Sequence, residues 1–258
     1  MAQNNQYNNN YNLSNYQPGG PVEDMFPSLW PNKEDMDRAV SSCLARVFLR
    51  MFAALLVTAA AAFAVSELRE LQMIIFDNLV VFIVLIIAEL ALVITISARI
   101  NRLSPTVATV LFFLYAIING LTLSSVFLLY NVGIIFHAFA ISALMFAAMA
   151  IFGAVTKRDL SKVGSICFMG LIGIIIASVV NIFFSSDLVY TIVSYIGVIL
   201  FVALTAYDTQ RIKRMLEGAK AESSEIAIKR VSITGALSLY LDFINLFLYM
   251  LRLLGRRK

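Results

Sequence analysis

The sequence predicts an all-α integral membrane protein with six or seven spans, and three observations carry that prediction. The chain of 258 residues is 60% apolar and only 14% charged, with a mean hydropathy of +0.84. Soluble domains are about half apolar and a quarter charged. After Cys43 the apolar stretches follow one another with short polar gaps, and each is close to the ~20 residues that cross a ~30 Å hydrocarbon core as a helix. Lys and Arg collect at the ends of those stretches, where topology determinants sit. A water-soluble fold is excluded, and the net charge of +4 reads as membrane orientation rather than nucleic-acid binding.

Residues 1–40 are expected to form a disordered tail. They are rich in Asn, Gln, Tyr, Pro and Gly, with too few aliphatic side chains to bury a core. They lack the basic start and apolar run of a signal peptide, so the first span should be a retained helix. Only Lys33 to Arg46 can form an amphipathic lead-in helix. The membrane domain then occupies 41–258. Its seven apolar segments run about Val47 to Ser66, Ile74 to Ala98, Thr106 to Tyr130, Gly133 to Val155, Val163 to Phe184, Leu188 to Tyr207 and Val231 to Leu254.

The gaps after the second, fourth and sixth segments hold eleven basic residues, from Arg99 and Arg102 through Lys157, Arg158 and Lys162 to the group between Arg211 and Arg230; the other three gaps hold only Arg69. Positive loops stay in the cytoplasm, so the amino terminus is expected inside a bacterial plasma membrane. A full crossing by the seventh segment would carry Arg252, Arg256, Arg257 and Lys258 to the outer side. Either the other six helices pull a weakly hydrophobic central helix across, which is the reading favoured here, or the segment re-enters and leaves the tail in the cytoplasm.

A carboxylate at mid-bilayer costs about 2.5 to 3.5 kcal/mol, so such groups face a bundle interior or an aqueous cavity. The chain places Glu89 in the second segment, Asp208 at the end of the sixth and Asp242 inside the seventh. Around Asp242, the residues Gly235, Ser238, Asn245, Tyr249 and Arg252 recur at helical spacing and form one polar face. Lipid does not tolerate such a face; a helix enclosed by others uses it for packing and as a cavity wall. Tyr115, Asn119 and Thr122 repeat the spacing more weakly in the third span, where interhelical hydrogen bonds are the plain role. Asp242 has no basic residue within a turn on either side. A buried acid of that kind needs a proton or a bound cation.

No phosphate loop, GxSxG or HExxH is present, and the single histidine, His137, starts the fourth span as an interfacial residue. Cys43 and Cys167 lie far apart without CxxC spacing and read as small apolar fillers. No enzymatic activity and no resident cofactor are expected.

Two segments carry a resemblance. AYDTQRIK, ending at Lys213, and LSLYLDFINLFLYMLRLLG, from Leu237 to Gly255, are similar to the two signatures of the transmembrane Bax inhibitor motif family, and KRDLSKVG from Lys157 to Gly164 fits the same context. The resemblance covers roughly residues 45–255. It implies seven helices with six surrounding the seventh and a pH-responsive calcium leak. By motif, the family's di-aspartyl pH sensor and ion pathway falls on Asp208 and Asp242, its latch on Arg99 and its second-span acid on Glu89.

Simple chemistry agrees with such a sensor. Two carboxylates close together in a poorly solvated site cannot both ionise freely, so they share a proton. Deprotonated, they offer hard oxygens to calcium, with Asn245 and Ser238 as neighbouring polar groups. An Arg99 contact with one acid would favour a closed state. Two other functions use the same chain: regulation of a membrane protease or of a stress or cell-death pathway by protein contact, and proton-coupled transport of small solutes.

Overall fold

The computed structural model describes residues 33–255, and every regular element among them is helical. The chain divides at residue 39 into an amino-terminal unit and the compact unit that begins at Val40; of the tail expected over 1–40, residues 1–32 lie outside the described residues and 33–40 are helical. The helices are α1 (Lys33–Glu67), α2 (Arg69–Phe76), α3 (Leu79–Arg99), α4 (Pro105–Leu123), α5 (Ser125–Leu129), α6 (Val132–Val155), α7 (Ser161–Phe184), α8 (Asp187–Ala221) and α9 (Glu225–Leu254). Among the described residues, seven stretches are long and apolar enough to span a membrane, with α4 and α5 acting together as one.

Local chemistry sets the breaks. Asn78 accepts hydrogen bonds from the amides of Val80 (3.1 Å) and Val81 (3.4 Å), which caps α3 and separates it from α2. Ser104 caps α4 through the Val107 amide, and Pro105 follows at the first helical position, where its missing N–H is harmless. Ser186 and Ser224 cap α8 and α9 in the same way. The turns before those caps pass through Ser185 and Ser223, which take the left-handed conformation at φ 48° and 52°.

Helix α9 is the centre of the bundle: 67% of its membrane-spanning stretch is buried, against 44% for α8 and 6% for α3. It packs along α8, α6 and α4, and Thr58 of α1 reaches its Tyr240. Aliphatic and aromatic side chains such as Phe63, Leu144, Ile182 and Phe183 point outward, as a lipid-facing surface requires.

The seventh segment is one unbroken helix that runs antiparallel to α8 from end to end. Near its start Gly235 packs against Ile212 of α8, and near its end Tyr249 covers Gly197. Arg252 stacks over Tyr190, close to the start of α8. Gly255 meets Tyr130, at the connection between α5 and α6. The helix therefore crosses the bundle, which removes the re-entrant alternative. Its last turn lies at the end opposite the basic connections.

At the basic end, α8 grips the connection between α6 and α7. Gln210 accepts a hydrogen bond from the Leu160 amide (2.9 Å) and donates to the Arg158 carbonyl (2.7 Å), while Lys213 Nζ donates to the Ala154 carbonyl (3.1 Å). Asp159 accepts from the Ser161 hydroxyl (2.8 Å) and amide (3.1 Å) and pairs with Arg214 (2.8 Å). The Ser161 hydrogen bonds and Arg214 hold the Asp159 carboxyl down at about 2. A lowered value means that these contacts are favoured at and above the ordinary carboxylate range and are lost as pH falls through about 2. Asp159→Ala should therefore speed trypsin cleavage after Lys157, Arg158 and Lys162 at neutral pH, with global stability unchanged because the ion pair is exposed.

Candidate functional site

Asp208 and Asp242 come from the two most buried helices and lie inside the bundle, 8% and 5% exposed. Each carboxyl lies within electrostatic reach of a neighbour, Asp242 of Asp208 and Asp208 of Arg211. Asp208 Oδ1 and Asp242 Oδ2 are buried and have no hydrogen-bond partner among the described residues. A buried oxygen left without a partner forfeits about 1 to 3 kcal/mol of solvation, so the pair is suited to a proton or a passing cation.

The pair is held in place by close backbone approach. A Cβ on Gly153 of α6 would fall on the main chain of Ala206, and one on Gly164 of α7 would lie 2.5 Å from the Tyr207 ring. Two neighbouring helices thus close on α8 at the two residues that precede Asp208. Cys167, one turn beyond Gly164 on α7, is buried as well. On α9, Ser238 and Asn245 are half-buried on either side of Asp242, and the Asn245 amide donates to the Leu241 carbonyl at 2.8 Å. The polar face inferred from spacing is real, and it is α8 that covers it.

Arg99 is placed differently. It is exposed in the last turn of α3 and makes no ion pair with either acid. The guanidinium whose charge reaches Asp208 is that of Arg211, on the next turn of α8. Glu89 is also apart from the pair. Its carboxyl accepts from the Thr122 hydroxyl (2.5 Å) and the Asn119 amide (3.2 Å), and Asn119 Oδ1 accepts from the Tyr240 hydroxyl at 3.0 Å. The hydroxyls of Tyr240 and Thr58 are 2.7 Å apart. This chain of donors crosses α1, α9, α4 and α3 and ends on an acid. His137 is exposed, with Nδ1 2.6 Å from the Gly133 carbonyl one turn away.

Tyr240 and Thr58 are the residues that sequence reasoning left out, and Cys167 was read there only as an apolar filler. Tyr240 lies two residues before Asp242, off the polar face, and an aromatic within an apolar run carries no signal of its own. Removing its hydroxyl with Tyr240→Phe keeps the edge-on contacts to Phe112 and Tyr115 and leaves Asn119 Oδ1 without its donor, while Thr58 keeps the Ala54 and Ala116 carbonyls. The expected loss is about 1 to 2 kcal/mol, measurable as a lowered melting temperature in detergent.

Fold and site together define a multi-pass α-helical membrane protein with a carboxylate pair buried at its central helix. Residues 40–258 match the family described as "Inhibitor of apoptosis-promoting Bax1". The chain belongs to this Bax inhibitor family. It is 48% identical over 216 residues to the inner membrane protein YbhL of Escherichia coli, covering 83% of this chain and 92% of that protein. It is 45% identical over 215 residues to a protein of Borreliella burgdorferi (83% and 92%) and 40% identical over 215 residues to one of Deinococcus radiodurans (83% and 90%).

Proposed function

We propose that the protein is a proton-responsive leak pathway for calcium in the plasma membrane, oriented with its amino terminus in the cytoplasm. Asp208 and Asp242 form the proton and cation site. The observation that carries this reading is the pair itself: two acids on adjoining buried helices, each with one oxygen that no group among the described residues satisfies. Sharing a proton removes their mutual repulsion and closes the site to cations. Losing it leaves up to four carboxylate oxygens for a calcium ion, which takes six to eight in all. Among the described residues no third acid, His or Cys joins them in a metal-holding group. Two acids suit an ion that passes with part of its water better than one that is stored. A latch role for Arg99 requires α3 to carry its guanidinium toward the pair in a second conformation.

The test is calcium uptake into dye-loaded proteoliposomes as a function of pH. Wild-type flux should change across the neutral range, and Asp208→Asn and Asp242→Asn should each alter that dependence. Superimposable curves for all three proteins would end this reading.

One observation favours a second reading, regulation of another membrane protein by contact. The connection carrying Lys157, Arg158 and Lys162 is clamped by Gln210 and Lys213 rather than left free, which presents a fixed basic surface. Charge reversal at those lysines should release a co-purifying membrane partner if that surface binds one, and retention of every partner would remove it.

A further inference from the structure

At the end of the bundle opposite the basic connections, the last turns of α7 and α9 and the first turn of α8 border an open-mouthed cavity of about 670 Å³. That is the size of a small-ligand pocket, roughly 300 to 1,000 Å³. Its wall is polar in part: Ser178, Asn181 and Ser186 line it together with Asp187, Tyr190 and Arg252, beside the apolar Ile182 and Val193. The Arg252 guanidinium carbon lies 5.5 Å from the ring centre of Tyr190 and 5.1 Å from that of Tyr249. Cation–π contacts of this kind hold a guanidinium beside the rings, and a guanidinium carries five N–H donors with which to bind another group.

Asp187 and Arg252 line one cavity, yet they form no ion pair with each other or with any other described residue. Each also complements the dipole of its own helix, acid in the first turn of α8 and base in the last turn of α9. The dipole role is satisfied anywhere on the rim. It does not account for opposite charges that line a common space unpaired. A separated anion and cation recognise a ligand that carries both charges at a similar separation.

We propose that this cavity binds a zwitterion with an ammonium and an acidic phosphate on one short chain, the chemistry of phosphoethanolamine, with Arg252 taking the phosphate and Asp187 the ammonium. The cavity opens at the end of the spans, beside the tyrosines that mark a membrane interface, so the unit can arrive as a phospholipid headgroup or as the free compound.

The test uses full-length protein in mild detergent. Native mass spectrometry would measure retention of phosphatidylethanolamine and phosphatidylglycerol offered in equal amounts. A parallel melting series would use O-phosphoethanolamine alone. The wild type should prefer phosphatidylethanolamine. Arg252→Gln should weaken its retention by about tenfold, as loss of one charged hydrogen-bonding group implies. Asp187→Asn should lower retention of phosphatidylethanolamine but not of phosphatidylglycerol. If only the free compound stabilises the wild type, and Arg252→Gln abolishes the effect, the ligand is soluble and the chemistry stands. Equal retention of both lipids by the wild type together with no stabilisation by the free compound, or indifference of whichever ligand binds to Asp187→Asn, overturns the assignment. Asp187 is exposed, so its variant remains informative if Arg252→Gln misfolds.

Discussion

Asp242→Asn is expected to flatten the dependence of calcium flux on pH while leaving the protein at least as stable as the parent. Asparagine keeps the shape of the side chain and cannot ionise. Asp242 is 5% exposed and its Oδ2 has no partner among the described residues, so the fold gains little from the charge. Replacing a buried charge that lacks a matched partner is neutral or stabilising, here on the order of 1 kcal/mol. A variant that melts at or above the parent temperature and yet loses its pH response separates function from folding. Asp208→Asn should act in the same direction, with a smaller gain because Arg211 already offsets part of its charge. The double variant should add little to either single change, since the shared proton belongs to the pair. Additive effects of the two substitutions on flux would mean that the acids work separately.

Gly153→Val is expected to unfold or mispack the bundle. The new Cβ would meet the carbonyl oxygen, carbonyl carbon and Cα of Ala206. Main-chain atoms of a packed helix cannot swing aside as a side chain can. Overpacking typically costs about 1 to 3 kcal/mol and occasionally more, and a clash with backbone belongs at the upper end. The variant should appear as a large fall in melting temperature or as loss of the monodisperse peak on gel filtration. Gly218→Ala is the control. Nothing lies within 4 Å of a Cβ at Gly218, so the change should stabilise α8 by about 0.5 to 1 kcal/mol. If both glycines tolerate substitution equally, α6 and α8 are not in close backbone contact beside Asp208.

The membrane class and the number of spans were legible because they depend on sums over many residues. The limits of the helices were not. The lead-in helix expected over Lys33 to Arg46 and the first span expected from Val47 form one continuous α1, and the sixth segment, expected to end at Tyr207, continues as α8 to Ala221. Hydropathy registers only the part of a helix inside the hydrocarbon. Beyond it the backbone stays helical while the side chains turn charged. The second and third segments were each read as one run and are interrupted, at Asp77 and Asn78 and at Ser124. Single capping residues vanish in a window average.

The site divides in the same way. The polar face of α9 follows from helical periodicity, a local property. Its cover by α8, the apposition of Asp208 and Asp242, and the contact of Glu89 with Asn119 and Thr122 are relations between helices. Asp208 reached its partner only through motif resemblance. The cavity around Arg252 draws on residues from α7, α8 and α9, and no interval along the chain encodes it.

The enclosure of α9 has a consequence for biogenesis. Of the seven spans it has the lowest hydropathy, because the face turned toward α8 carries Ser238, Asp242 and Asn245. A segment of that composition partitions weakly into lipid as an isolated helix. Its entry into the membrane then depends on the groove offered by α8 and its neighbours, and insertion and tertiary assembly become a single step. Substitutions on α8, such as a bulky residue at Gly197 where Tyr249 packs, should then raise the fraction of chains whose last helix never crosses, which protease accessibility of the carboxyl terminus in intact vesicles would report.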